Sequence, residues 1–195
     1  MDISQIKKKL QENLKPSRYE HSIGVMETAV KMAKRFGADE EKAQLAGLLH
    51  DCAKYISEQQ GYELCKEWKI SLDEVSKENY AIVHQYLGRK IARDDYGIED
   101  AEVLDAIECH ATGKAGMSAL EKIIYISDMI EPNRLKKPYD GLERLIELAG
   151  IDLDMALLFG LELSCRHIFN TKKQLHLDTV RARNFILSEF ERKNT

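Results

Sequence analysis

The chain has 195 residues, of which 44% are hydrophobic and 32% charged, with only 11 glycines and 3 prolines. This composition is typical of an ordered globular protein and excludes collagen-like, low-complexity and disordered chains. The formal net charge of -4 gives no strongly basic surface, so neither a nucleic-acid partner nor an anionic membrane is expected.

Cysteine usage and the N-terminal sequence indicate a cytoplasmic protein. The four cysteines lie far apart, without a C-x-x-C pair, as expected in a reducing compartment. The start of the chain, MDISQIKKKL, contains no apolar signal segment, and no run approaches the 18 apolar residues of a membrane span. The length suits one domain and no linker or repeat divides the chain, so residues 1–195 are predicted as a single domain.

The first three predicted helices lead to a His-Asp pair. Apolar residues at helical spacing form the first helix close to the N-terminus. The second helix runs from about Pro16 to Gly37, and the third follows the capping residue Asp39. The adjacent residues His50 and Asp51 then fall at or near the C-terminal end of the third helix.

The rest of the chain continues the helical pattern. Further helices are predicted at residues 57–68, 79–94, 99–110, 118–131, 141–149, 153–169 and 177–192, with breaks at Gly97, 113–116, 132–140 and Gly150. The β-branched run 123–126 could form a buried strand, but its apolar residues also share one helical face, which favours a helix. The predicted fold class is therefore all-α, a single-domain helical bundle.

Several histidines and aspartates interrupt otherwise apolar helices. They are His21, the pair His50-Asp51, His84, His110 and Asp128. An unpaired polar group in such a position is costly, so something must compensate each of them. Taken singly, each has an ordinary structural interpretation, such as a hydrogen bond to a backbone carbonyl. As an ordered set of imidazoles and carboxylates, which suit divalent Fe, Mn, Ni or Zn, they predict a metal site.

This order of residues resembles the HD-domain phosphohydrolases, whose signature is a His, a later HD doublet and a distal Asp. The matching positions are His21, His50, Asp51 and Asp128. The stretch HATGKAGMSALEKIIYISDMIEPNR resembles the YqeK subgroup of that family, and RYEHSIGV, GLLHDCAK and NTKKQLHLDT also match it. The resemblance implies an all-α, iron-binding hydrolase that cuts diadenosine tetraphosphate, a dinucleoside polyphosphate, symmetrically into two molecules of ADP.

The metal is expected to take part in catalysis. Four ligands from the matching positions leave coordination sites open, where water binds with a lowered pKa and becomes a nucleophile at neutral pH. Iron is the metal that the resemblance implies, while Mn, Co, Ni and Zn accept the same ligand types. For His84 and His110 the sequence leaves three roles open: contacts to phosphate oxygens, protonation of the leaving group, or ligation of a second metal bridged by Asp51. The resemblance favours phosphate contacts beside a single iron.

Cations near the ligands are candidates for binding the phosphate chain, because charge on non-bridging oxygens must be neutralised during phosphoryl transfer. Arg18 lies one helical turn before His21, and Lys54 lies about one turn after Asp51. Arg134 is the third candidate. Their alternative interpretation is solvated surface charge.

Two further segments are candidates for substrate contacts. Thr112 and the adjacent Gly113 could offer a hydroxyl and backbone amides to a phosphate, although the glycines there also suit a plain turn. The resemblance places a polar loop against one adenosine, and a surface loop is the alternative interpretation. Its residues are Asn170, Thr171, Lys172, Lys173, Gln174 and Leu175.

Other functions compete with this one. The metal centre would equally serve an HD phosphohydrolase of a mononucleotide, a nucleoside triphosphate or a guanosine polyphosphate alarmone. A non-catalytic HD signalling module is the alternative from another class, although such modules usually lose ligands and all four are present here. A homodimer stays open, because helical periodicity does not separate a surface patch from the core.

Overall fold

The protein folds as a bundle of eleven α-helices and one 3-10 helix, seen in a computed structural model that describes residues 1–193. No β-strand occurs within these residues. The helices are α1 (Ile3–Asn13), α2 (Pro16–Phe36), α3 (Glu40–Leu49), α4 (Glu58–Glu67), α5 (Glu74–Glu78), α6 (Tyr80–Tyr96), α7 (Ala101–Cys109), α8 (Ala119–Ile130), α9 (Leu142–Ala149), α10 (Leu153–Asn170) and α11 (Leu177–Lys193), with the 3-10 helix at Pro132–Lys136.

The helix boundaries follow from local capping chemistry. Capping boxes, in which a side chain and a backbone amide satisfy each other, start α1, α4 and α8 at Asp2, Ser57 and Ser118. Helix α2 ends at Gly37, which adopts the left-handed conformation with φ of 69° that a Cβ atom disfavours. These signals are readable in the sequence, which is why the predicted ends lie close to the observed ones.

The all-α prediction is confirmed, and so is the helical state of residues 123–126, which lie inside α8. Two short elements were not predicted. Helix α5 has only five residues, and the segment 132–140, predicted as a break, begins with the 3-10 helix. Both are too short to show a repeating apolar face, so periodicity does not reveal them.

Helices α2, α3, α7 and α8 pack together around the core, and α10 packs on α8. Leu49, Ile107, Ile123 and Ile124 are fully buried there. The helices that carry the candidate residues therefore meet at the centre of the bundle.

Within residues 1–193, no helix is long and apolar enough to cross a lipid bilayer.

A close contact between α2 and α3 predicts a sensitive position. A Cβ atom added at Gly47 would lie 2.9 Å from the backbone Cα of Met26, which has no flexible end to move away. We expect Gly47→Ala to lower the free energy of unfolding by about 1–3 kcal/mol through overpacking. Urea unfolding followed by circular dichroism measures this loss. An unchanged midpoint and slope would show that the two helices are not in close contact.

Candidate metal centre and substrate cavity

Four histidines surround the carboxylate of Asp51, whose side chain is only 3% exposed. One oxygen, Oδ2, lies 3.8 Å from Nε2 of His21 and 3.4 Å from Nε2 of His50. The other oxygen, Oδ1, lies 3.2 Å from Nε2 of His84 and 3.6 Å from Nε2 of His110. Asp51 therefore stands between two pairs of imidazoles that come from α2, the end of α3, α6 and the end of α7.

The end of a helix explains how the adjacent residues His50 and Asp51 reach the same point. Helix α3 stops at Leu49, and the chain continues in tight turns in which the amide of Cys52 donates to Leu49 and that of Lys54 to Asp51. Both side chains are buried in these turns. The prediction that the His-Asp pair falls at the C-terminal end of the third helix is confirmed.

Two of the imidazoles are oriented by the backbone of their own helix. His50 Nδ1 lies 2.7 Å from the carbonyl of Gly47, and His110 Nδ1 lies 2.8 Å from the carbonyl of Ile107. Since a carbonyl only accepts hydrogen bonds, Nδ1 carries a proton in both rings, and Nε2 keeps a free lone pair when the ring is neutral. Nδ1 of His84 is buried and has no hydrogen-bond partner.

Asp128 completes the centre from α8. Its Oδ1 lies 3.0 Å from Nε2 of His21, and its side chain is 25% exposed. Nδ1 of His21 lies 3.0 Å from Oε1 of Glu131. All four residues of the HD signature are thus brought together, with Nε2 of His21 and of His50 turned toward the carboxylates.

These donors fit a divalent metal ion. Three sets of side chains each have ligand atoms within 4.8 Å of one another: His21, His50 and Asp51; His50, His110 and Asp128; and Asp51, His84 and His110. Imidazole nitrogens and carboxylate oxygens are the ligand types that bind divalent iron, manganese, nickel and zinc. The third set shares Asp51 with the first, so the same carboxylate could bridge two ion positions.

The buried charges shift the pKa values of the centre. Burial alone would raise the pKa of Asp51, but the charge of His50 and hydrogen bonds from neighbouring histidines hold it well below its usual range. Burial would likewise raise the pKa of Asp128, but the hydrogen bond from His21 outweighs it, and the pKa lies below its usual range. Burial lowers the pKa of His84 to about 4. Both carboxylates are therefore ionised and His84 is neutral at pH 7.

The three predicted cations border this centre. Nη1 of Arg18 donates to Oδ2 of Asp51 at 2.7 Å, while the arginine side chain stays 41% exposed. Arg134 donates to the backbone carbonyl and to Oδ1 of Asp128, at 3.0 and 2.8 Å. Nζ of Lys54 lies 3.5 Å from a backbone carbonyl at the start of α6. All three retain donors for a further anion, since a guanidinium has five N–H groups and an ammonium has three.

One cavity opens at the centre, and a second cavity adjoins it. A central cavity of about 310 Å³ is lined by Asp51, His84, His110, Asp128 and the three cations. A side cavity of about 580 Å³ lies next to it, and the two have residues 82, 111, 129, 134 and 164 in common. The side cavity falls within the range of about 300–1,000 Å³ that is usual for small-molecule sites.

The predicted loop lies only partly at the side cavity. Asn170, Gln174 and Leu175 line the side cavity, whereas Thr171, Lys172 and Lys173 do not. The hydroxyl of Thr171 instead donates to carbonyls at the end of α10. The two lysines are exposed to solvent.

Thr112 lines the side cavity, but its environment differs from the predicted one. Its hydroxyl donates to the carbonyl of Gly113 at 3.0 Å, and Gln85 Nε2 donates to it at 3.2 Å. The amide of Gly113 donates to Cys109 at 2.7 Å, so it is not free for a phosphate. Gly113 therefore serves the turn, with φ of 69°, and the amide contact considered for it is not supported.

Comparison with known proteins agrees with this geometry. A family model described as the HD domain matches residues 18–133, which include His21, the His50-Asp51 pair and Asp128. The chain belongs to the HD-domain family.

Two named relatives and one solved structure match nearly the whole chain. A symmetrical bis(5'-nucleosyl)-tetraphosphatase from Halalkalibacterium halodurans is 38% identical over 91% of this chain and 92% of its own length. The protein of the same name from Bacillus subtilis is 32% identical over 92% and 94%. A crystal structure described as an HD superfamily hydrolase involved in NAD metabolism, from Clostridium acetobutylicum, superposes with a TM-score of 0.92 at 40% identity, covering 97% and 98% of the two chains.

Sequence reasoning missed Gln85, and it placed His176 in the substrate loop without its partner. Gln85 is fully buried and binds both the amide of Ala111 and the hydroxyl of Thr112. His176 donates from Nε2 to Asp73 at 2.7 Å and so ties the end of the loop to the start of α5. A polar residue within an apolar helical face was the available signal for Gln85, whereas no local pattern pairs His176 with Asp73.

Proposed function

We propose that the chain is a metal-dependent hydrolase that cleaves diadenosine tetraphosphate symmetrically into two molecules of ADP. One observation carries this proposal: the buried His-Asp centre opens into a cation-lined central cavity that adjoins a side cavity of nucleoside-compatible size. Phosphates placed in the first cavity would join directly to a nucleoside in the second. Relatives that cover most of the chain are named for the same reaction.

The ligands proposed for the ion are His21, His50, Asp51 and Asp128. Iron is our proposed metal because the resemblance to the HD-domain phosphohydrolases implies it and these ligand types accept it. A bound divalent ion would polarise a phosphoryl oxygen and lower the pKa of water to supply a nucleophile. His84 and His110 form the second donor set with Asp51, and we propose this set for a second ion. The carbonyls of Gly47 and Ile107 keep the protons of His50 and His110 away from the centre.

The chain's cations would bind the phosphate bridge. Arg18 and Lys54 line one part of the central cavity, and Arg134 lies where the two cavities meet. Positive groups on different sides of the bridge hold its phosphates in place and neutralise the charge that builds up on the non-bridging oxygens. Arg134 is therefore placed to contact the phosphates nearest the bound nucleoside.

The side cavity would exclude water from one nucleoside. Met129, Leu163 and Leu175 offer apolar surface, and Asn170 and Gln174 offer amide groups that can pair with a base or ribose. A nucleoside buried there would determine which phosphate of the bridge reaches the metal centre. The separation between the side cavity and the metal centre would therefore select the bond that is cut.

A substrate panel tests this proposal. We expect hydrolysis of diadenosine tetraphosphate to exceed that of a nucleoside monophosphate, a nucleoside triphosphate and a guanosine polyphosphate, because only the dinucleotide places inner phosphates between the nucleoside and the cations. Initial rates at equal concentration, with metal-stripped and metal-reloaded protein, measure the preference. A faster reaction with any of the other three substrates would overturn the assignment, and activity that survives stripping would overturn the metal dependence.

A further inference from the structure

Glu131 is a carboxylate in an unusual place. It follows α8 and is 1% exposed, although glutamates are rarely buried without partners. Both of its oxygens are engaged: Oε1 lies 3.0 Å from Nδ1 of His21, and Oε2 accepts the amide of Asn133 at 2.7 Å. The buried charge thus faces a proposed metal ligand on one side and a backbone donor on the other.

Helix α2 is shaped to admit this carboxylate. Gly24 lies one turn after His21, and a Cβ atom there would come within 2.5 Å of Oε2 of Glu131. Because the glycine has no side chain, the carboxylate packs directly against the helix that carries His21. The contact depends on residues from two parts of the chain that are far apart in sequence.

The position of His21 within its helix explains why it needs a distant partner. His50 and His110 follow the last residues of α3 and α7, where the carbonyls of the final turn are free to accept from Nδ1. His21 lies inside α2, where the preceding carbonyls are used by the helix itself. His84, inside α6, is in the same situation, and its Nδ1 has no partner.

We propose that Glu131 is a positioning residue that holds the proton of His21 on Nδ1 and thereby keeps the Nε2 lone pair directed at the metal centre. This inference rests on the metal centre of the proposed function. Glu131 is the acceptor for Nδ1 of His21, just as backbone carbonyls at the ends of α3 and α7 are the acceptors for Nδ1 of His50 and His110. Its second oxygen holds the first turn of the 3-10 helix, which carries Arg134, so one carboxylate links the ligand to a phosphate-binding residue.

The substitution Glu131→Gln gives a specific expectation. The amide of Asn133 is a backbone donor and must face the single oxygen of the glutamine, which leaves the NH2 group facing His21. The ring then has to accept at Nδ1 and carry its proton on Nε2, where it blocks metal binding. Glu131→Ala removes the acceptor without adding a donor, so it should weaken binding less than Glu131→Gln.

The test is zinc affinity, measured by competition with a chelator, for the wild type and the two Glu131 variants. We expect Glu131→Gln to lower the affinity about 10- to 100-fold, as is typical when a partner of a ligating histidine is lost. The matched control is Glu121→Gln, which alters a second buried glutamate, located in α8, that accepts the amide of Ser118 and pairs with Lys114. The control should bind zinc as the wild type does.

Nitrogen-15 NMR of the histidine side chains provides a readout that a purely structural role would not move. We expect a hydrogen-bonded Nδ1 proton on His21 in the zinc-loaded wild type and control, and its loss or displacement in Glu131→Gln. If both variants keep the control's zinc affinity and this resonance, the inference is wrong while the proposed function stands. If the wild type binds no zinc, the metal centre itself is wrong, and this inference is wrong with it.

Discussion

Substitution of Asp51 by alanine is expected to abolish metal retention and turnover together. Asp51 lies between all four histidines and accepts from Arg18, so its removal takes a ligand from both proposed ion positions. Metal ions supply several kcal/mol of transition-state stabilisation, so we expect a loss of at least about 10³-fold in kcat. Within residues 1–193, Asp51 is the one carboxylate that belongs to both proposed ligand sets.

Elemental analysis and rate measurement on the same sample test this expectation. Asp105→Ala is a suitable control, because Asp105 is a carboxylate on α7 that pairs with Arg89 at the surface and does not line the centre. The control should retain metal and activity. Full metal content in Asp51→Ala, or normal turnover without metal, would contradict the role of Asp51 as a shared ligand.

Substitution of Arg134 by alanine is expected to separate substrate binding from metal binding. Arg134 donates to Asp128 but belongs to none of the three ligand sets, and it lines both cavities. Loss of one preorganised donor to developing charge costs about 10²–10³-fold in rate. We therefore expect a fall of that size in kcat/KM, with metal content unchanged.

The metal contents of Asp51→Ala and Arg134→Ala, measured side by side, distinguish a metal ligand from a substrate-binding residue. Arg144→Ala, which removes an exposed arginine of α9 that pairs with Glu147, is the matched control for Arg134→Ala and should have no effect. If Arg134→Ala loses metal to the same extent as Asp51→Ala, the guanidinium acts mainly by holding Asp128 rather than by binding phosphate. That result would contradict the assignment of Arg134 to the substrate.

The helices were predictable because their apolar spacing and their caps are local properties of the sequence. Asp39, for example, accepts from the amides of Glu41 and Lys42, as its position before an apolar helix suggests. Helix α5 was not predictable, because five residues show no repeating face and its cap, Asp73, is also bound by a histidine far along the chain. The assignment of residues 1–195 to one domain stays a prediction.

The ligand set was accessible from sequence because its members interrupt apolar helices in a recognisable order. The orientation of the rings was not accessible. Glu131 follows Asp128 closely in sequence, yet its partner His21 and the space provided by Gly24 lie on α2. The loop likewise reads as uniformly polar, and only the fold separates Gln174, which lines the side cavity, from its neighbour Lys173, which faces solvent.

The most direct test of the central claim is to identify the nucleotide products of diadenosine tetraphosphate by anion-exchange chromatography, with the metal content of the same sample measured by elemental analysis. The proposed function predicts ADP as the sole nucleotide product, formed by protein that contains iron or another transition metal near stoichiometry. Equal amounts of ATP and AMP would contradict cleavage at the middle of the phosphate bridge, and turnover by metal-free protein would contradict the role of the His-Asp centre.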